Sequence, residues 1–343
     1  MRILFLSHSF FPAVGGIETV SEFLANSFSE AGHDVRLLTW TTGGNDTRFI
    51  FNVLRNPNLI ECFQSHVWAD IVFENNPSLR LSWPNIFFKR PYVVALHTWL
   101  SRVSGTLAWQ DNLKKMYLRG AYKVIACSNA LREQSWPPAI VIGNSYKQEL
   151  FRVIPEVKRT KDFVFLGRLV SDKGAKLAIL AFHRFITETS SHQGRRLTII
   201  GDGPERERLT ELVSDLRIEN NVLFRGVLSG NQLVECLNQH DYILVPSLWE
   251  EPFGIVVLEG MACGCLPIVS DGGGLPEAVG QAGIVIKRGS VDDLASCLKN
   301  ITENPDLEVR LRAFAKEHLK AHSPELVSKR YLSILEIAFD SVN

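Results

Sequence analysis

Short apolar runs that lead through a polar loop directly into a helix recur along this chain. Residues 2–6, 163–166 and 242–245 are such runs, and glycine or polar residues follow each one before helical periodicity begins. Strands that alternate with helices in this way predict parallel sheets covered by helices, because each crossover needs a connection of helix length. The sequence therefore predicts an α/β fold, and its 343 residues are enough for two domains.

The stretch 247–264 joins one of these buried strands to a helix and carries two acids. Glu251 lies in the loop, and Glu259, eight residues later, is expected about two turns into the helix. Phe253 and Gly254 begin that helix, where free backbone N–H groups and the positive end of the helix dipole suit an oxygen-rich or anionic ligand. The two carboxylates could bind different hydroxyl groups of one molecule. The alternative is an N-cap acid and a solvated helix glutamate.

The run Glu251-Pro-Phe-Gly-Ile-Val-Val-Leu-Glu259-Gly-Met-Ala resembles the E-x7-E signature of retaining GT-B glycosyltransferases, in particular glycosyltransferase family 4. This pattern combines two acids, a Pro-Phe-Gly turn and a helix end of small residues. The similarity extends over nearly the whole chain; it is strongest from 163 to 277 and weakest from 40 to 91. One departure is Asn144-Ser145-Tyr146-Lys147, where the family usually has Asn-Gly-Val-Asp.

The resemblance implies two facing Rossmann-like, doubly wound domains with a cleft between them. It assigns residues 1–150 to an acceptor domain and residues 151–324 to a domain that binds the nucleotide sugar. A terminal helix, about 325–343, is expected to cross back onto the first domain.

Two loops of the first half contribute candidate residues. Gly15 and Gly16 lie between the first strand and a helix, where glycine lets a ligand approach the backbone, although a plain turn is the alternative. The family's corresponding pair faces the donor diphosphate. His97 directly follows the strand at 92–96, at the edge where open α/β sheets bind ligands; a structural histidine is the alternative. The resemblance implies that His97 contacts the donor sugar as a hydrogen-bond donor.

Arg168 and Lys173 follow the strand at 163–166 in a Gly-Arg…Lys-Gly pattern that matches the family in residue type and spacing. Two cations at such a position can neutralise a diphosphate leaving group as the glycosidic bond breaks; surface salt bridges are the alternative. The resemblance also implies that Glu259 binds the ribose hydroxyls and that the backbone near Leu228 holds the nucleobase. The expected contacts to the donor sugar come from Glu251, His97 and the backbone of Phe253, Gly254 and Ile255.

The resemblance implies retaining transfer of a hexose-type sugar from a UDP-, GDP- or ADP-sugar to a glycan, glycolipid or lipid-linked acceptor. In the front-face mechanism the leaving phosphate accepts the proton of the acceptor, so no protein base is needed. The sequence has no D-x-D, which metal-dependent GT-A enzymes use to hold a divalent cation, and we expect neither metal nor cofactor. Alternatives on the same fold are a nucleotide-sugar epimerase, a phosphorylase with a pyridoxal lysine and a non-catalytic sugar-nucleotide-binding subunit.

Charge and cysteine content limit the partners and the compartment. The formal net charge is zero, which argues against a nucleic-acid-binding protein. No apolar run approaches the roughly 20 residues of a membrane span, and six cysteines without a CxxC pair are typical of a reduced, cytoplasmic protein. The basic, aromatic stretch 89–132 could contact anionic lipid at the inner face of a membrane or an anionic acceptor; a solvated helix is the alternative. Its cations are Lys89, Arg90, Arg102, Lys114, Lys115, Arg119, Lys123 and Arg132.

Overall fold

The structure, a computed structural model, describes residues 1–13, 15–88, 90–100, 109–188 and 192–342 and divides into two compact units. Unit 1 comprises Met1–Ser145 and Pro324–Asn343, and unit 2 comprises Tyr146–Ser323. The division predicted from the sequence was after residue 150 and after residue 324.

Unit 1 contains one parallel sheet whose seven described strands run in the order β3-β2-β1-β4-β5-β6-β7. This order reverses direction at β1, as in a doubly wound fold. The strands are β1 (Arg2–Ser7), β2 (Asp34–Thr39), β3 (Asn52–Arg55), β4 (Ile71–Asn75), β5 (Tyr92–Leu96), β6 (Lys123–Ala126) and β7 (Ile140–Val141). The described α-helices are α1 (Gly16–Glu30), α2 (Leu59–Trp68), α3 (Leu79–Ser82), α4 (Trp109–Arg119), α5 (Asn129–Ser135) and α13 (Pro324–Asp340), with 3₁₀ turns at Asp46–Arg48 and Trp83–Phe87.

The centre of unit 1 is apolar on both faces of its sheet, as expected for parallel strands that are covered by helices. Phe5 and Phe73, on neighbouring strands, are fully buried with ring centroids 4.9 Å apart. The terminal helix α13 packs on this core through Tyr331, whose ring centroid lies 5.9 Å from that of Phe73. Unit 1 is therefore completed by a segment that is distant in sequence.

Unit 2 contains a second parallel sheet, whose six described strands run in the order β10-β9-β8-β11-β12-β13. Its direction reverses between β8 and β11. The strands are β8 (Thr160–Leu166), β9 (Leu197–Ile200), β10 (Val222–Gly226), β11 (His240–Val245), β12 (Leu266–Ser270) and β13 (Ile284–Ile286). The described helices are α6 (Ala175–Glu188), α7 (Arg206–Asp215), α8 (Gly230–Asn238), α9 (Ile255–Ala262), α10 (Leu275–Val279), α11 (Val291–Glu303) and α12 (Pro305–Ala321), with a 3₁₀ turn at Ser171–Lys173.

The two parallel sheets confirm the prediction of two Rossmann-like α/β domains. In unit 2, β8 and β11 lie side by side at the point where the strand order reverses. Loops that leave the carboxyl ends of strands at such a point diverge to opposite faces of the sheet and leave a crevice in which ligands bind. The loops after β8 and β11, together with helix α9, carry most of the predicted site residues.

Candidate functional site

Two of the predicted site residues meet at this point in the unit 2 sheet. Lys173 follows β8 and Glu251 follows β11, and the Lys173 Nζ lies 2.5 Å from the Glu251 Oε1. Only 18% of the Lys173 side chain and 13% of the Glu251 side chain are exposed. The Ser247 hydroxyl also donates to Glu251 Oε1, at 3.1 Å. The structure therefore joins one predicted cation to one predicted acid in a largely desolvated contact.

Backbone contacts hold the two loops together. The Asp172 carbonyl accepts hydrogen bonds from the N–H groups of Leu248 at 2.8 Å and Trp249 at 3.2 Å. Gly174 has a φ of +80°, and a Cβ there would lie 2.0 Å from the Pro246 carbonyl oxygen. Only glycine allows both this left-handed conformation and this close approach. The position of the Lys173 ammonium therefore depends on a glycine immediately after it.

A glycine-rich loop after β12 supports the same site from the other side. The Gly274 N–H donates to the Glu251 carbonyl at 2.7 Å. Gly273 has a φ of +61°, and a Cβ there would lie 2.2 Å from that carbonyl oxygen. The Ser270 hydroxyl donates to the Ser247 carbonyl at 2.7 Å. These contacts fix the backbone from which Glu251 projects.

The helix after Glu251 begins later than the sequence predicted. α9 starts at Ile255, and Gly254 precedes it with a left-handed φ of +105°. Glu259 is consequently about one turn into the helix, since 3.6 residues make a turn, and the predicted two turns are wrong. Burial raises the pKa of Glu259 to about 7, and the positive charge of Lys147 opposes that rise. Near neutral pH this carboxyl group therefore exchanges between its charged and neutral forms.

Arg168 lies on the same loop as Lys173, but its side chain is exposed and forms no ion pair among the described residues. The turn after β9 holds the Arg168 loop, because the Leu169 N–H donates to the Asp202 carbonyl at 2.9 Å. Leu228 lies two residues after β10 and is half-buried. The structure thus brings Lys173 and Glu251 into contact and leaves Arg168 and Leu228 on neighbouring loops.

In unit 1, an acid that sequence reasoning missed lies beside the predicted Gly15–Gly16 loop. Glu18, in the first turn of α1, accepts a hydrogen bond from the Ser9 hydroxyl. A Cβ on Gly15 would lie 2.5 Å from the Glu18 Oε2. The signal available in the sequence was an acid three residues after a glycine at a helix start. Its carboxylate makes this loop less positive than a bare helix N-terminus.

His97 directly follows β5 and is only 7% exposed. Its backbone N–H donates to the Asn76 Oδ1 at 2.7 Å. Burial lowers the pKa of His97 to about 4, and the nearby Asn144 side chain partly opposes this effect. Neither ring nitrogen makes a hydrogen bond of normal geometry to the described residues. A neutral imidazole with unused hydrogen-bonding capacity is suited to a polar ligand.

The basic stretch 89–132 is only partly described. Lys89 and Arg102 lie outside the described residues, as does the side chain of Trp109. Tyr117, on α4, stacks against Tyr92 with ring centroids 4.8 Å apart, so this aromatic contributes to packing. Among the described helices, none is long and apolar enough to cross a membrane.

Comparison with known proteins identifies relatives of this chain. Residues 146–318, just over half of it, match the family model for glycosyl transferases group 1. Glycogen synthase of Mycobacterium tuberculosis is 29% identical over 234 residues, covering 66% of this chain and 52% of that protein. A GDP-mannose-dependent monoacylated alpha-(1-6)-phosphatidylinositol monomannoside mannosyltransferase of Corynebacterium glutamicum is 32% identical over 178 residues, covering 50% and 45%.

The chain spans about half the length of these curated relatives. Among solved structures, Anabaena Alr3699/HepE in complex with UDP and glucose aligns over 98% of this chain and 99% of its own, with a TM-score of 0.79 and 20% identity. At that identity the alignment shows a shared fold, in agreement with the two Rossmann-like domains predicted from the sequence.

Proposed function

Because the chain belongs to the glycosyl transferases group 1 family, we propose that it transfers a hexose-type sugar from a nucleoside-diphosphate sugar, with retention of anomeric configuration as in glycosyltransferase family 4. The observation that carries this proposal is the contact between Lys173 and Glu251 at the reversal point of the unit 2 sheet. This contact supports the proposal because a cation that could neutralise a diphosphate lies next to an acid that can accept hydrogen bonds from sugar hydroxyls.

The charges of the site suit the two halves of such a donor. Lys173 and Arg168 would neutralise the diphosphate, where negative charge grows as the glycosidic bond breaks. Glu251 would bind hydroxyls of the sugar, and Glu259 those of the ribose. Because Lys173 and Glu251 pair with each other, a bound donor would replace that pairing with phosphate on one side and hydroxyl groups on the other.

The remaining assignments follow the family resemblance. We propose that the backbone near Leu228 holds the nucleobase and that Phe253, Gly254 and Ile255 present backbone groups to the sugar. From unit 1, His97 would donate a hydrogen bond to the sugar, and Gly15 and Gly16 would leave room for the diphosphate. The low pKa of His97 supports this role, because a neutral imidazole can donate one hydrogen bond without adding charge.

The chemistry we propose is front-face attack, in which the acceptor hydroxyl approaches on the side that the diphosphate leaves. The leaving phosphate oxygen takes the proton of the acceptor, so the protein supplies electrostatic stabilisation and positioning but no base. In this scheme Lys173 and Arg168 carry the stabilisation, and the reaction requires no metal ion or cofactor. Turnover that persists in excess chelator would agree with this scheme. A complete loss of turnover in chelator, followed by recovery when Mg²⁺ is added, would overturn it.

The acceptor we propose is a glycan, a glycolipid or a lipid-linked saccharide. The basic residues Lys114, Lys115 and Arg119 on α4 support contact with an anionic membrane surface. Vesicles with anionic lipid should sediment the protein at low salt, and Lys114→Gln/Lys115→Gln should weaken this binding. Unchanged sedimentation of the double variant would exclude α4 as the contact surface.

The decisive assay measures nucleotide release from UDP-, GDP- and ADP-hexoses with candidate acceptors, with NMR assignment of the anomeric configuration of the product. Lys173→Met and Glu251→Gln should each reduce turnover at least about 100-fold, the usual cost of losing one charge-stabilising group. Lys176→Met and Glu235→Gln remove the same charges at exposed positions and serve as controls. Near wild-type turnover in both site variants would refute the assignment.

The alternative functions give different results in the same assay. An epimerase would isomerise the donor without any acceptor, and a non-catalytic subunit would bind the donor without releasing nucleotide. A product with inverted anomeric configuration would still support the donor site but would refute the retaining mechanism.

A further inference from the structure

A polar hollow of about 230 Å³ opens at the amino-terminal edge of the unit 2 sheet. It is formed where β8, β9 and β11 begin, beside β10 and the end of α8. Lys173 and Glu251 follow the opposite, carboxyl ends of β8 and β11. The lining of the hollow reaches Asp162 on β8, and the four strand residues beyond it span about 13 Å, so the hollow is separate from the site described above.

Cations from three separate segments line this hollow. Lys158 precedes β8, Arg196 precedes β9 and Arg225 lies on β10. Asp162 is the one carboxylate among the lining residues; its Oδ2 lies 3.4 Å from the Arg196 Nε, and its Oδ1 accepts the Arg196 backbone N–H at 3.0 Å. Within the described part of the chain, Lys158 and Arg225 form no ion pair with a carboxylate. The hollow therefore carries two cations in excess of its acids.

The floor of the hollow is buried and already hydrogen-bonded. His240 and Thr198 are 6% and 5% exposed. The His240 Nδ1 lies 2.6 Å from the Cys236 carbonyl oxygen, which only accepts, so Nδ1 carries the proton. Burial lowers the pKa of His240, and the neutral ring then accepts the Thr198 hydroxyl at Nε2, at 2.8 Å. The charged hydrogen-bond donors of the hollow are therefore the three cations Lys158, Arg196 and Arg225.

These observations define the ligand by its chemistry. A group that fills the hollow must accept hydrogen bonds and carry negative charge, and an arginine fork is suited to the oxygens of a phosphate. The volume lies below the roughly 300 Å³ at which sites for drug-sized ligands begin, so a complete nucleotide sugar is too large.

We propose that this hollow is a second anion site, which binds a phosphate group through Lys158, Arg196 and Arg225. The phosphate belongs either to a small soluble molecule or to a lipid headgroup, because both present the same oxygens. The site is independent of the proposed transferase activity, since none of its residues belongs to the site after β8 and β11.

The test is calorimetric titration of the full chain with inorganic phosphate, at constant ionic strength maintained with chloride. We expect saturable binding that weakens about tenfold or more in Lys158→Gln/Arg225→Gln, because two charge-assisted contacts are lost. The control Lys299→Gln/Arg310→Gln removes two exposed cations that do not line the hollow and should bind as wild type does. Phosphate binding that persists in Lys158→Gln/Arg225→Gln but is lost in Lys173→Met would belong to the candidate donor site, and this comparison separates the two sites.

Parallel sedimentation with vesicles that contain phosphatidic acid distinguishes the two sources of phosphate. Vesicle binding that free phosphate displaces would identify a headgroup, whereas phosphate binding without vesicle binding would identify a soluble ligand. No saturable phosphate binding to the wild type would overturn the proposal, as would equal affinity in the Lys158/Arg225 variant and its control. Thermal unfolding checks the fold of each variant, and the single variant Arg225→Gln, at an exposed position, replaces the double variant if that one is unfolded.

Discussion

The pairing of Lys173 with Glu251 makes a quantitative prediction about the unliganded protein. The two groups touch at 2.5 Å and are 18% and 13% exposed, so both have lost most of their hydration. Glu251→Gln keeps the shape of the side chain but leaves the Lys173 ammonium without its counter-charge. The Ser247 hydroxyl can still donate to the amide oxygen, so the main loss is electrostatic.

The size of this loss follows from the exposure of the pair. Removing one partner of a fully buried ion pair costs about 3–5 kcal/mol, and exposed pairs are worth about 0–1 kcal/mol. Because the pair keeps some hydration, we expect a value between these limits: Glu251→Gln should lower the free energy of unfolding by about 2 kcal/mol. Lys173→Met should cost a similar amount, and the double variant should lose about 1–2 kcal/mol less than the sum.

Urea unfolding of the wild type, the two single variants and the double variant, all without ligand, measures this double-mutant cycle, provided that the m-value stays constant. Glu250→Gln is the matched control, because Glu250 pairs with Arg288 at 3.1 Å while both side chains remain 38% exposed. It should cost less than about 1 kcal/mol. A loss of stability in Glu251→Gln that is no larger than the loss in Glu250→Gln would refute the argument. Losses of Lys173→Met and Glu251→Gln that simply added in the double variant would refute it as well.

Three further predictions concern single residues. Burial raises the pKa of Glu259 from 4.5 to about 7, so between these pH values the folded protein keeps a proton that the unfolded chain has lost. The free energy of unfolding should therefore fall as the pH rises from 4.5 to 7, and it should fall less steeply in Glu259→Gln. Urea unfolding at each pH measures both slopes. Gly174→Ala should lower the free energy of unfolding by more than about 2 kcal/mol in the same assay, because its Cβ would lie 2.0 Å from a carbonyl oxygen. Gly194→Ala should be nearly neutral, because a Cβ there would have no heavy atom within 4 Å. His97→Phe should leave the melting temperature unchanged or raised, because it removes two buried ring nitrogens that have no well-formed hydrogen bond to the described residues. It should still lower donor turnover, and a large loss of stability would show that His97 is structural.

The fold could be predicted where apolar strands alternate clearly with helices, and not elsewhere. Residues 40 to 70 were the least readable, and they contain β3 and α2. β3 is an edge strand with no buried residue, so it lacks the apolar run that marks an inner strand. In α2, Leu59 and Ile60 are 73% and 68% exposed, so its apolar residues do not mark one inward face.

The site required tertiary information that the sequence lacks. The residue types at 173 and 251 were evident from their motif, but the two are 78 positions apart. Their contact exists because β8 and β11 are neighbours in the sheet, and strand order cannot be read from the apolar pattern of either strand. The same limit applies to Glu18: its sequence position is close to Gly15, but only the side-chain conformation brings its carboxylate over that glycine.

The sequence departs from the family pattern at Asn144-Ser145-Tyr146-Lys147, and one residue of this segment, Lys147, affects the pKa of Glu259. Burial alone would hold the Glu259 carboxyl group neutral well above its usual range, and the positive charge of Lys147 acts against this. The aspartate that the family usually has at this position would act in the opposite direction, because a like charge disfavours ionisation. In this chain, therefore, the residue that breaks the family pattern favours the ionised form of the second motif acid, which is the form that accepts hydrogen bonds from ribose hydroxyls in the proposed site.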